Sequence, residues 1–154
     1  MTTFNVLTDR PTFEQLQANS CTCLSKQNVK GVLSSLYDKL VELRQECWDM
    51  NNYVLKALDL AIRTTKFILG TGHIGAESFV FLTKHIGNIH SNHKYMSETA
   101  LDELGDVCFC FNRLVGLVNN SNYSPVFNDS SYIRKAIKRH SQYGCIRSYN
   151  KRCS

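Results

Sequence analysis

The chain has 154 residues, of which 43% are hydrophobic and 20% charged, with seven cysteines and a formal net charge of +5. That length suits one domain with a sizeable core, and the composition excludes a disordered chain. No apolar run approaches the ~20 residues of a membrane-spanning helix, and the opening MTTFNVLTDRPTFEQL has neither the basic nor the apolar region of a signal peptide.

Residues 1–24 read as an irregular segment, with Pro11 breaking any early helix beyond its first turn. Ser25 or Asn28 caps the first long helix. Its apolar positions Val29, Leu33, Leu36, Leu40, Leu43 and Cys47 recur at spacings of 4 and 3, one continuous stripe. A second helix spans about 50–69, with Val54, Leu55, Leu58, Ala61, Ile62, Ile68 and Leu69 on its apolar side. It stops at the glycines Gly70, Gly72 and Gly75. A third spans about 76–89. Phe79, Leu82, Ile86 and Ile89 share one side, broadened by Val80 and Phe81, which predicts a central helix buried on more than one face. After a polar break at 90–95, Ser97 caps a fourth helix whose stripe is Leu101, Leu104, Cys108, Phe111, Val115 and Val118. The Asn/Ser-rich stretch 119–129 is a loop with Tyr123 or Phe127 as a docked aromatic, and Asp129 or Ser130 caps a last short helix ending near His140.

This pattern predicts an all-α globular bundle of five to seven helices, without internal repeats. It divides into a bundle domain at 1–129 and a short basic helix with its tail at 130–154. The division follows the charge. All seven basic residues of 130–154 (Arg134, Lys135, Lys138, Arg139, Arg147, Lys151 and Arg152) stand without an acidic neighbour, while 1–129 carries 11 Lys+Arg against 13 Asp+Glu. Arg134, Lys135, Lys138 and Arg139 share one broad helix face opposite Ile133, Ala136 and Ile137, with Tyr132, Tyr143 and Tyr149 interleaved. Cations and aromatics together suit nucleic-acid phosphates and bases, or an anionic membrane surface. A solvated, solubilising tail shows the same pattern.

Chemistry-bearing motifs are sparse. Cys21-Thr22-Cys23 and Cys108-Phe109-Cys110 lack the C-x-x-C spacing of a zinc knuckle, and two residues apart on a helix point about 200° apart. Cys108 and Cys47 therefore read as core, and His90 and His93 as surface polar residues. No metal and no cofactor are expected. Gly70-Thr71-Gly72-His73-Ile74-Gly75 follows a helix and lacks the Lys-Ser/Thr of a P-loop, so it reads as a helix–helix corner. No nucleophile elbow is present, and the chain reads as a non-enzyme. Three glycosylation sequons, at Asn119, Asn122 and Asn128, would matter only in a secreted protein. The missing signal instead predicts an intracellular, cytoplasmic protein with reduced thiols, and a nuclear location is compatible.

The segment Gly70-Thr71-Gly72-His73-Ile74-Gly75-Ala76-Glu77-Ser78-Phe79-Val80-Phe81-Leu82-Thr83-Lys84-His85-Ile86 resembles the first homology segment of Bcl-2-like apoptosis regulators, particularly divergent viral members. There a glycine-containing corner opens an apolar helix that often ends in Lys-His. The stretch 101–120 with the aromatic-bearing segment after it is similar to the family's next helix and turn. The resemblance implies a bundle whose groove takes a partner's amphipathic helix. His73, Gly75, Phe79 and Leu82 are the implied groove residues. His73-Ile74-Gly75-Ala76 stands where the family has Asn-Trp-Gly-Arg, so Ala76 replaces the arginine that pairs with the partner's aspartate. The expected function is that of a non-enzymatic interaction protein of viral, apoptosis-inhibiting type. A small basic-tailed nucleic-acid-binding protein is the alternative, and a homo-oligomer is compatible with either.

Overall fold

The computed structural model describes residues 28–118, 127 and 130–140. The irregular reading of 1–24, the three sequons, Cys21, Cys23, Tyr123, Tyr143, Tyr149 and the cations Arg147, Lys151 and Arg152 fall outside the described residues.

Among the described residues five α-helices and no strand occur: α1 (Val29–Glu46), α2 (Asn52–Thr71), α3 (Ala76–His90), α4 (Glu98–Val118) and α5 (Ser131–Arg139). A 3-10 turn, His93–Tyr95, joins α3 to α4. The all-α bundle expected from the periodicity is the architecture observed. Local chemistry sets the boundaries. The Gly31 amide donates to Asn28 Oδ1 at 2.8 Å and the Val54 amide to Asn51 Oδ1 at 3.0 Å, so both helices begin on an asparagine cap. The Ala100 amide donates likewise to Ser97 Oγ at 3.2 Å. Glycine ends α2: Gly72 adopts φ 71°, a left-handed conformation that a side chain would resist, and its amide closes on the Ile68 carbonyl.

The stripe of α1 is buried as expected, with Leu36, Leu40, Leu43 and Cys47 wholly inaccessible. Burying each leucine contributes about 1.5–3 kcal/mol. α1 packs most extensively on α4, while α2 pairs with α1 and α3, and α5 lies on α4. α1 and α4 run antiparallel: Lys39 reaches Asp106, and Glu42 reaches Glu103.

Two expectations are corrected here. The central helix is α4, not 76–89. Every residue from Leu104 to Gly116 is buried, because α1 and α5 cover α4 on two sides and the α3 ring Phe79 stacks on Phe111 at 5.7 Å. α3 instead buries one side through Leu82, Ile86 and Ile89, and leaves Val80 66% and Phe81 47% exposed. The second correction concerns the basic segment. α5 is a wall of the bundle, not an appendage to it. Tyr132, Ile133, Ala136 and Ile137 are buried, and the last three have no accessible surface. Gly105 permits this approach, since a Cβ there would stand 2.5 Å from the Tyr132 carbonyl oxygen.

Candidate interaction site

The four groove residues implied by the resemblance occupy different environments. His73 is exposed and lines a hollow of about 440 Å³ where the start of α1 meets the end of α2. Gly75 sits at the N-cap of α3. Phe79 is half-buried against Phe111, and Leu82 is fully buried. Leu82 therefore supports α3 from within and touches no docked chain. The exposed apolar surface lies on the other side of the same helix. There Ala76, Glu77, Val80, Phe81 and Lys84 line a hollow of about 480 Å³. The Phe81 ring stacks on His85 at 6.0 Å. Burial, then the neighbouring Lys84 charge, lowers the His85 pKa below the usual histidine value. A neutral ring thus backs the apolar one at neutral pH. The sequence does name Val80 and Phe81, but as core, because periodicity shows apolar side chains without showing whether another element arrives to cover them.

The cations of α5 face acids supplied by α4. Arg139 donates to Asp106 Oδ1, and His140 Nε2 reaches the same oxygen at 3.0 Å. Lys39 of α1 approaches Asp106 Oδ2 at 3.5 Å, and Lys135 lies 3.8 Å from Asp102. Burial alone would raise the Asp106 pKa. Hydrogen bonds from His140 and Arg139 outweigh it and hold the carboxyl below its ordinary value. Next to it, burial and a hydrogen bond with Glu42 push Glu103 up to about 7. Of the four residues predicted to form a polyanion face, Lys135 and Arg139 therefore have carboxylate partners, Arg134 is half-buried, and Lys138 is exposed. The acids lie some thirty positions upstream, so the local sequence around α5 cannot reveal them.

The expected surface histidines form a packing node instead. The Tyr132 hydroxyl donates to His90 Nδ1, and His93 Nδ1–H donates to the His90 carbonyl oxygen at 2.9 Å. The His90 ring lies 5.0 Å from that of Phe127 and 5.5 Å from that of His93. Phe127 is thus the docked aromatic of the loop, 7% exposed. Burial, and secondarily His93, lowers the His90 pKa, which suits a neutral ring accepting the tyrosine proton. No cluster of three or more metal-ligating side chains occurs among the described residues. Cys47, Cys108 and Cys110 are free and buried, with burial raising Cys47 to about 11 and Cys110 to about 12. Thiols held protonated in this way make poor nucleophiles. Among the described residues no helix is long and apolar enough to cross a membrane.

Comparison with family models, with curated proteins and with solved structures finds no match for this chain.

Proposed function

We propose that the protein is a non-enzymatic interaction module that captures a partner's amphipathic helix on the outer face of α3. One observation carries this reading: Val80 and Phe81, two large apolar side chains in succession, stand 66% and 47% exposed beside the hollow of about 480 Å³. A folded bundle with a complete core gains nothing from leaving them in water, whereas a partner side chain seated there removes apolar surface on both molecules. Glu77 and Lys84 at the rim supply one charge of each sign to fix the partner's register. Together with the resemblance of 70–86 to Bcl-2-like regulators, this favours pro-apoptotic helices as partners and sequestration as the mechanism.

The test is binding of fluorescent amphipathic peptides taken from pro-apoptotic proteins. Micromolar or tighter affinity that survives moderate salt is expected. Phe81→Ala should weaken binding about ten- to hundredfold, the equivalent of about 1.5–3 kcal/mol for a buried aromatic, and should leave the melting temperature unchanged. Failure of every such peptide to bind the folded protein would remove the reading.

A further inference from the structure

The outward face of α2 carries a second row. Tyr53, Lys56, Leu60, Arg63 and Phe67 follow one another at spacings of 3, 4, 3 and 4, so they form one line along the helix. The line points away from the core, which α2 reaches through Val54, Ala57, Leu58, Ala61, Thr65 and Ile68. Tyr53 is 59% and Phe67 62% exposed, Lys56 and Arg63 are exposed, and Leu60 is half-buried between them. The apolar members recur every seventh residue, and the cations fill the positions between. A hollow of about 360 Å³, lined by Leu60, Lys56 and Arg63 and by the paired Arg44 and Asp59, opens beside the row.

We propose that this row is a docking seam for an acidic amphipathic helix, one with apolar side chains in heptad register flanked by glutamate or aspartate. Repetition at i, i+7 and i+14 is how one helix meets another lengthwise. The charge chooses the partner. Asp59, the acid nearest the seam, already bonds Arg44 at 3.1 Å. Among the described residues, neither Lys56 nor Arg63 has an ion pair. A second copy of this chain is a poor occupant. Two such rows bring four cations into one seam, and the flanking Asp59 of each is already bonded to Arg44, so like charges placed together oppose association. A nucleic acid would find only two phosphate contacts here, each giving a salt slope of about −0.7 on a single strand. It would also leave the heptad spacing of Tyr53, Leu60 and Phe67 unused.

The test uses a designed three-heptad helix with leucine along its seam and glutamate at the flanking positions, beside the same peptide with lysine flanks. Anisotropy against the full chain should show micromolar binding of the acidic peptide and at least tenfold weaker binding of the basic one. The double substitution Lys56→Glu with Arg63→Glu should invert that preference. Phe67→Ser should weaken acidic-peptide binding at least tenfold at unchanged melting temperature, whereas Phe81→Asp on α3 should leave it unaltered. The α2 seam and the α3 hollow are thereby judged separately. Equal affinity for the two peptides, or no affinity for either, overturns the proposal. It also falls if an oligonucleotide binds through Lys56 and Arg63 while Phe67→Ser changes nothing, because the row would then be a polyanion surface.

Discussion

Two glycines on neighbouring helices predict opposite outcomes for the same substitution. At Gly105 an added Cβ would stand 2.5 Å from the Tyr132 carbonyl oxygen and 3.0 Å from the Ala136 Cβ. A backbone oxygen fixed in a helix cannot swing away as a flexible side chain can. Alanine improves helix propensity by about 1 kcal/mol, but here it must push α5 off α4. Gly105→Ala should therefore cost about 1–3 kcal/mol, the range for overpacking. At Gly87 nothing lies within 4 Å of the same atom, so Gly87→Ala should gain up to about 1 kcal/mol. Urea midpoints of the two variants check both signs together. Neither outcome is legible in the sequence, where each glycine merely interrupts a helical pattern. What distinguishes Gly105 is a helix that begins 26 positions later.

The helices themselves were largely legible, because spacings of 3 and 4 and asparagine or serine caps are local signals. The stripe Val29 to Cys47 and the cap at Ser97 describe α1 and the start of α4 as they are. The sequence misleads where burial depends on what arrives from elsewhere. In α4 the run Val107-Cys108-Phe109-Cys110-Phe111 is apolar all round, a stronger sign of a central helix than the Phe79–Leu82 run, and the 3-and-4 spacing from Leu101 to Val118 marks only one stripe of it. In α5 the cations draw attention away from Ile133 and Ile137, which carry the packing. Truncation after Asp129 would remove both isoleucines and Tyr132, and uncover the apolar flank of α4. At about 1.5–3 kcal/mol for each side chain, the loss is comparable with the whole stability of a domain this size. The 1–129 fragment should lose cooperative thermal unfolding in circular dichroism. A substitution of the exposed Lys138 should not. Neither candidate interaction row could be read in advance, because exposure of Val80, Phe81 or Phe67 is a property of the assembled bundle.

At the scale of the whole molecule, three titrating groups shape stability against pH. The folded-state pKa of His90 lies below the ordinary 6.5. The unfolded chain therefore takes up the proton first, and the histidine's contribution, complete above about 6.5, declines as pH falls through the folded value. Asp106, held below 3.8, adds a further loss in stronger acid as pH falls through its own folded value. Glu103 acts in the opposite direction. Its folded value of about 7 exceeds the ordinary 4.5, so its contribution is complete below 4.5 and is lost as pH rises through 7. Melting temperature should thus fall on both sides of a mildly acidic to neutral range. Glu103→Gln should flatten the alkaline side, and His90→Gln the mildly acidic one. Calorimetry of the three proteins from pH 4 to pH 9 checks the assignment.

The main packing partner of α1 is α4, which follows it only after the α2–α3 hairpin. On a ribosome adding about 5–20 residues per second, the interval between completing Glu46 and completing Val118 is roughly 4–14 s. The α2–α3 hairpin can close within that time and α2 can pair with α1, but the face of α1 that α4 covers stays in water. The nascent chain therefore presents the α4-facing side of its first apolar stripe before its cover has been made. The last turns of α4 close the waiting period, and α5 covers a further flank of α4 once synthesis has passed residue 139.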